Sequence, residues 1–546
     1  MTQSVDGATR AVAPRPLVSI VTPVYDPDAT VLQECLDSVL AQTWTRWEHV
    51  LVDDASPSAH VWPLLSAAAA ADPRVVVHRR VANGGIVAGS NDALDRASGD
   101  IIVLLDHDDL LEPHALERIV EAFASADDVD YVYSDEDVLI LEGRYADPFY
   151  KPDWSPERFR NQMYTCHVSA FRAELVREVG GFHDGFDGSQ DWDLVLRVTE
   201  RARRIVHVPE VLYHWRVVPA SVLSGEDVKP YAYESARRAL EAHAERVGLD
   251  ADVVEGVPRG YFRLVRRHRE HPLVSIVIPT RCSSGLVWGA ERVMVVEAVR
   301  SIVERSTWPN YEIVLVVDEP ADAEVLDHLA ELAGGRLRTV PYAKPFNFSE
   351  KCNLGALHAR GDVLLFLNDD VQVLDANWIE VLVGFVREPD VGAAGLMLLF
   401  EDGRVQHAGH VYLGGNPGHL MFGQMPGSDR NRLALSLDRE VAGVTAACMA
   451  MRRGVFDEVG GFCTLFAGNY NDVDLCCKVR HQGYRIVVSA QARLHHFESL
   501  TRDPTVDPRE LDLLRSRWSP ELVADPYYNP NHDQRFDNYP HPVGYP

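Results

Sequence analysis

The chain has 546 residues, enough for about three ordinary domains or two large ones, and its 46% hydrophobic and 25% charged content is that of a soluble globular protein. Its 81 acidic residues outnumber 53 basic ones, a net charge of −28, and acids are in excess on both sides of His271. That balance excludes nucleic acid as the main partner, because phosphate binding needs a basic surface, and it excludes a polybasic membrane anchor.

Residues 1–15 contain no apolar h-region, so no signal peptide is expected. VSIVTP at 18–23 reads as a buried strand ended by proline. Residues 31–41 follow with a helical pattern, Leu32, Cys35, Leu36, Val39 and Leu40 on one face. A strand at 49–52 ends in Asp53 and Asp54. Asn83-Gly84-Gly85 lacks the Lys-Ser/Thr of a phosphate loop and reads as a tight turn that lets backbone approach a ligand. The apolar strand 101–105 runs into Asp106, Asp108 and Asp109. Asp191 and Asp193 open a helix over 192–200, and a strand at 206–212 leads to His214. An amphipathic helix over 230–247 and a basic connector at 263–271 come next.

The order then starts again. VSIVIP at 274–279 repeats VSIVTP, RGDVLLFLNDD at 360–370 repeats SGDIIVLLDHDD at 98–109, VGGF returns at 459–462, and NDVDL at 471–475 repeats QDWDL at 190–194. The offset grows from 256 to 262 to 281, so the second copy carries a longer insertion, placed in the Gly-rich stretch at 402–430. Apolar strands alternating with helices predict a parallel sheet covered on both faces. The tail after Trp518 has no periodicity and is expected to wrap the surface or stay partly disordered. No segment approaches the roughly 18 apolar residues of a membrane span. The eight cysteines show no CxxC spacing and read as reduced thiols.

In open α/β sheets ligands bind at the carboxyl ends of the strands, where these acids cluster. Asp106 and Asp108 alternate along an extended chain and project to the same side. Two hard oxygen ligands with room for water suit Mg2+ or Mn2+ bridging phosphates, although a lone DxD is more often two solvated acids. Asp193 and Asp474 can simply cap their helices. Asp191 and Asp472 are the better general bases. His214 and His496 stand at matching places in the repeat order, and neutral imidazole can ligate a divalent ion.

With TPVYD, VDDAS, LLDHDD, YSDED, KPDWSPE, SQDWDL and LYHWR in the first copy, the chain resembles family 2 glycosyltransferases of the GT-A fold. The second copy, with FNFSEKCN, FLNDDV, QHAGH, GVTAACMAMRR, YNDVDLC and HHFES, resembles the rhamnosyltransferase-like branch. The resemblance implies two tandem α/β GT-A domains at 16–227 and 272–502, a helical linker at 228–271 and a C-terminal extension at 503–546. It implies inverting, metal-dependent transfer of sugars from nucleotide-diphosphate donors to a cell-surface polysaccharide or polyprenyl-linked oligosaccharide. Asp191 and Asp472 would be the bases. Asp108 with His214, and Asp370 with His496, would hold Mn2+ or Mg2+. Pro23, Tyr25, Asp53, Asp54 and Asp106, and in the second copy Pro279, Asp318, Asn368 and Asp369, would line the donor. Asp135, Glu136, Asp137 and Trp154 would lie near the acceptor. The second copy departs from pattern: Asn368 replaces the first acid of DxD, and VVDEP offers only Asp318 where the first copy has two aspartates. The alternatives are a single active first domain with an acceptor-binding second domain, and a sugar nucleotidyltransferase. The expected location is cytoplasmic, with peripheral contact at the inner face of the plasma membrane.

Overall fold

The computed structural model describes residues 15–140, 143–217, 230–256, 258–428, 431–497, 507–535 and 537–539; the reading of residues 1–14 lies outside them. The chain forms two compact units.

The first unit is built on a nine-stranded sheet. Val18–Val24 lies at its centre, pairing in parallel with Trp47–Asp53 on one side and Ile101–Leu104 on the other. Asp28 caps the helix Ala29–Leu40 by accepting the Thr30 N–H at 2.8 Å. Leu32, Cys35, Leu36 and Val39 are buried against the sheet, as the periodicity predicts, while Leu40 at the last helical position stays exposed. The second unit repeats the order with ten strands around Val274–Thr280, flanked in parallel by Tyr311–Asp318 and Val363–Leu367. Along the main path the eight strands of the two sheets correspond one to one.

The expectation of a parallel sheet holds for a block of four strands in each unit and for one further pair, Val129–Ile140 with Arg204–Arg216 and Val391–Leu399 with Arg485–His496. Beyond Ile101–Leu104 comes Ser169–Arg172, antiparallel to it and to Val129–Ile140, and Cys448–Arg452 takes the same place in the second unit. These strands follow the aspartate clusters, where no strand–helix alternation is legible. This mixed arm carries Arg204–Arg216 and Arg485–His496 back to the end of the sheet that holds the aspartates.

The helix Pro230–Arg246 groups with the first unit, against the helix Gln190–Thr199. Residues Ser155–Asn161 group with the second unit. There Glu157, fully buried, accepts from Arg266 at 2.6 Å and Arg160 at 3.0 Å. Glu388 bridges Arg266, Arg160 and Arg485, and Glu440 receives the Ser155 hydroxyl. The tail supplies a helix, Pro508–Val523, kinked at Trp518, and buries Tyr528 and Tyr539 beyond it. No helix among the described residues is long and apolar enough to cross a membrane.

Candidate active sites

In the first unit, Asp53 and Asp54 end the strand Trp47–Asp53 with both side chains buried. Asp53 accepts the Ser56 N–H at 2.8 Å and pairs with Arg79. Asp54 accepts the N–H groups of Gly84 and Gly85 at 2.9 and 2.8 Å and lies 3.3 Å from Arg80. The Gly-rich turn therefore spends its donors on Asp54. Tyr25 is exposed, and the Pro23 carbonyl meets the His107 ring.

Asp106, Asp109 and His167 place ligand atoms within 4.8 Å of one another. Asp109 already accepts from the Tyr213 hydroxyl at 2.6 Å and the Arg216 N–H at 2.7 Å. Burial, and then the neighbouring Asp108 and Asp106, push its carboxyl well up. Burial also raises Asp108. Asp191 lies in the first turn of Gln190–Thr199, raised by burial against the opposing pull of His167. Asp193 instead ties down Arg197 at 2.6 Å.

His214 does not correspond to His496. Ile101 and Val363 hold the same register against the central strands, which makes Leu110 the counterpart of Gln372. Leu110 faces His214, but Gln372 faces His495, and His496 faces Val371. The ladder partner of His214 in the repeat is thus His495, and Trp215 takes the place of His496. Because strand side chains alternate, one residue of slip turns a side chain to the other face. His214 accordingly sits between Asp137 at 2.6 Å and Glu112 at 3.2 Å. Asp135 and Glu136, expected near an acceptor, are buried against His207 and Lys151.

In the second unit a cleft of about 620 Å³ is lined by Asn368, Asp369, Asp370, His496 and Asp472 together, with Pro279 and Lys351. His496 Nδ1 meets Gln406 Oε1 at 3.0 Å. That contact fixes the proton on Nδ1 and turns the Nε2 lone pair toward Asn368 Nδ2 at 3.1 Å and Asp370 Oδ1 at 3.3 Å. Asn368 Oδ1 is buried and accepts no hydrogen bond among the described residues. Carboxylate and imidazole brought together in this way fit a divalent cation, with the Asn368 amide beside them. Asp369 turns to the Thr280 hydroxyl at 2.6 Å, and burial beside Asp370 raises it to about 6. Asp318 pairs with the buried Lys351 at 2.8 Å. Asp472 opens the helix Asn471–His481, and its Oδ2 accepts the Ala446 N–H at 3.2 Å. Asp474 is buried on Trp518 and Arg517.

Sequence reasoning missed His167, Lys351 and a trio of histidines in the insertion, His407, His410 and His419, whose ligand atoms lie within 4.8 Å of one another. QHAGH carried the signal for two of the trio, but spacing gave them no role.

The family model for glycosyl transferase family 2 matches residues 19–180 and 275–460. The chain belongs to this family. Each match starts in the central strand of a sheet and stops before Asp191 or Asp472. Among curated relatives, the uncharacterized protein y4gI of Sinorhizobium fredii is 40% identical over 94% of this chain and 57% of its own length. The O-antigen biosynthesis protein RfbC of Myxococcus xanthus is 37% identical over 95% of this chain and 40% of its own. The chain thus spans about half the length of these relatives. A solved structure of GalNAc-T7 with UDP, GalNAc and Mn2+ is 17% identical, covers 49% of this chain and 53% of that one, and has a TM-score of 0.38.

Proposed function

We propose that the chain holds two glycosyltransferase sites, each moving a sugar with inversion from a nucleotide-diphosphate donor. The acceptor is a growing cell-surface polysaccharide or lipid-linked oligosaccharide, reached at the inner face of the plasma membrane. The observation that carries this reading is one cleft lined both by Asp472 and by Asn368, Asp370 and His496. Asp472, and Asp191 in the first unit, take the proton of the acceptor hydroxyl as it attacks the anomeric carbon from the face opposite the diphosphate. Asp108 in the first unit, and Asp370 with His496 in the second, hold the ion. A divalent ion there offsets the charge that develops on the departing diphosphate. Asp54 and Asp318, with Asp53 bracing its loop, orient the nucleoside. The relative named for O-antigen biosynthesis supports a surface glycan as product. Two sites in one chain raise the effective concentration of the second for the product of the first.

The reading in which the second repeat only binds acceptor is motivated by Val317 and Asn368, which replace acids of the first copy. The convergence on Asp370 and His496 favours a working site. Full-length Asp191→Asn and Asp472→Asn variants, supplied with UDP-, GDP- and dTDP-sugars, Mn2+ and a mixed acceptor pool, test this by mass spectrometry. Each is expected to lose one sugar addition. Retention of every transfer by both variants would sink the assignment.

A further inference from the structure

The insertion that lengthens the second repeat brings His410 to the cleft beside Asp472. His410 is 5% exposed, and its Nε2 lies 3.9 Å from Asp472 Oδ2. Burial, set against the pull of Asp472, lowers its pKa to about 4, so the ring is neutral and carries one proton. Its Nδ1 is buried and makes no hydrogen bond among the described residues. A proton there would be buried without an acceptor, which is costly, whereas on Nε2 it faces a carboxylate. The geometry therefore fixes the tautomer with hydrogen on Nε2.

The neighbouring rings do not turn this into a metal centre. The Thr445 N–H donates to His407 Nε2 at 3.2 Å, so the proton of neutral His407 is on Nδ1, directed at His419 Nδ1 at 2.7 Å. Burial, and then His419 and His410, keep His407 well below its ordinary pKa. With one nitrogen accepting and the other donating, His407 has no lone pair left for an ion. Two features hold His410 itself in place. Its backbone N–H donates to the Gly443 carbonyl at 2.7 Å, and the ring packs where a Cβ at position 443 would come within 2.8 Å of its Nδ1.

We propose that His410 is a positioning residue for Asp472. Its Nε2–H closes on Oδ2 when acceptor enters, so that Ala446 N–H and His410 hold one oxygen while Oδ1, which accepts the Val473 N–H at 2.9 Å, takes the acceptor proton on its remaining lone pair. Catalytic hydrogen bonds are often long in ligand-free enzymes and tighten in the complex. The proposal rests on Asp472 being the base. The first repeat has no matching insertion, so the device belongs to the second site alone.

Two measurements on the full-length protein test it. The first uses 15N-histidine NMR, with His410 assigned from the signal lost in His410→Gln, and needs no substrate. The Nε2–H tautomer is expected, giving way to a mixture in Asp472→Ala; an Nδ1–H tautomer, or no response to Asp472→Ala, overturns the contact. The second uses an Asp191→Asn background and nucleoside diphosphate release from UDP-, GDP- and dTDP-sugars with Mn2+. His410→Ala is expected to lower kcat about tenfold with donor KM within about twofold, and His410→Gln, which keeps an N–H donor, to restore most of the loss. Unchanged kcat in His410→Ala, or a loss that glutamine does not recover, overturns the role. If Asp472→Asn leaves release intact, the base reading fails, while the tautomer result still decides the contact.

Discussion

Asp191 is a half-buried carboxylate with an imidazole nearby, and its partial burial dominates, raising its pKa. A base works only when deprotonated, so activity is lost as pH falls through that raised value. The acid limb of the pH–rate profile for the first sugar is expected to lie above the ordinary aspartate pKa of 3.8. Mutating His167→Ala removes the opposing pull and should move that limb further up, read from initial rates between pH 4 and 8. The aspartates were legible because they recur in QDWDL and NDVDL. The difference in place between His214 and His496 was not. LYHWR and LHHFES look alike as strings, but the sheet register separates them by one residue, and only the ladder shows it. Lys351 was hidden for a different reason, since nothing in a helical pattern tells that a lysine is buried against Asp318.

At the scale of elements, both copies place a glycine before the strand that carries the aspartates, and close approach explains it. A Cβ at Gly99 would lie 2.7 Å from the Leu17 carbonyl, and one at Gly361 2.4 Å from the Leu273 carbonyl. Both contacts are to backbone, which cannot swing away. Gly361→Ala should therefore destabilise the second unit by about 1–3 kcal/mol, visible as a lower urea midpoint at unchanged slope. The four parallel strands were legible from their apolar runs. The antiparallel strands between them and the rest were not, because Cys448–Arg452 and Ser169–Arg172 are short and lie where no alternating helix marks them.

At the scale of the whole molecule, the acidic surplus coexists with buried ion pairs. Burial alone would raise Glu157, but Arg266 and Arg160 outweigh it and hold the carboxyl at about 2, below its ordinary 4.5. A depressed carboxyl stabilises the fold above pH 4.5, and that contribution is lost as pH falls from 4.5 toward 2. The thermal midpoint of the second unit is expected to fall steeply through that window, and less steeply in Glu157→Gln, as followed by calorimetry.

The residence of Ser155–Asn161 in the second unit bears on how such a tandem gene can be cut or shuffled. A fragment that begins at Pro272, the natural place to divide the repeats by sequence, discards Glu157, Arg160 and Arg266 together. What remains is Glu388, Asp390 and Glu440 sharing Arg485, with Arg160 and Arg266 gone. Duplicated in sequence, the repeats are expected to lose stability when divided at the linker. A recombinant that exchanges second repeats between relatives would have to carry this seven-residue loop from the first.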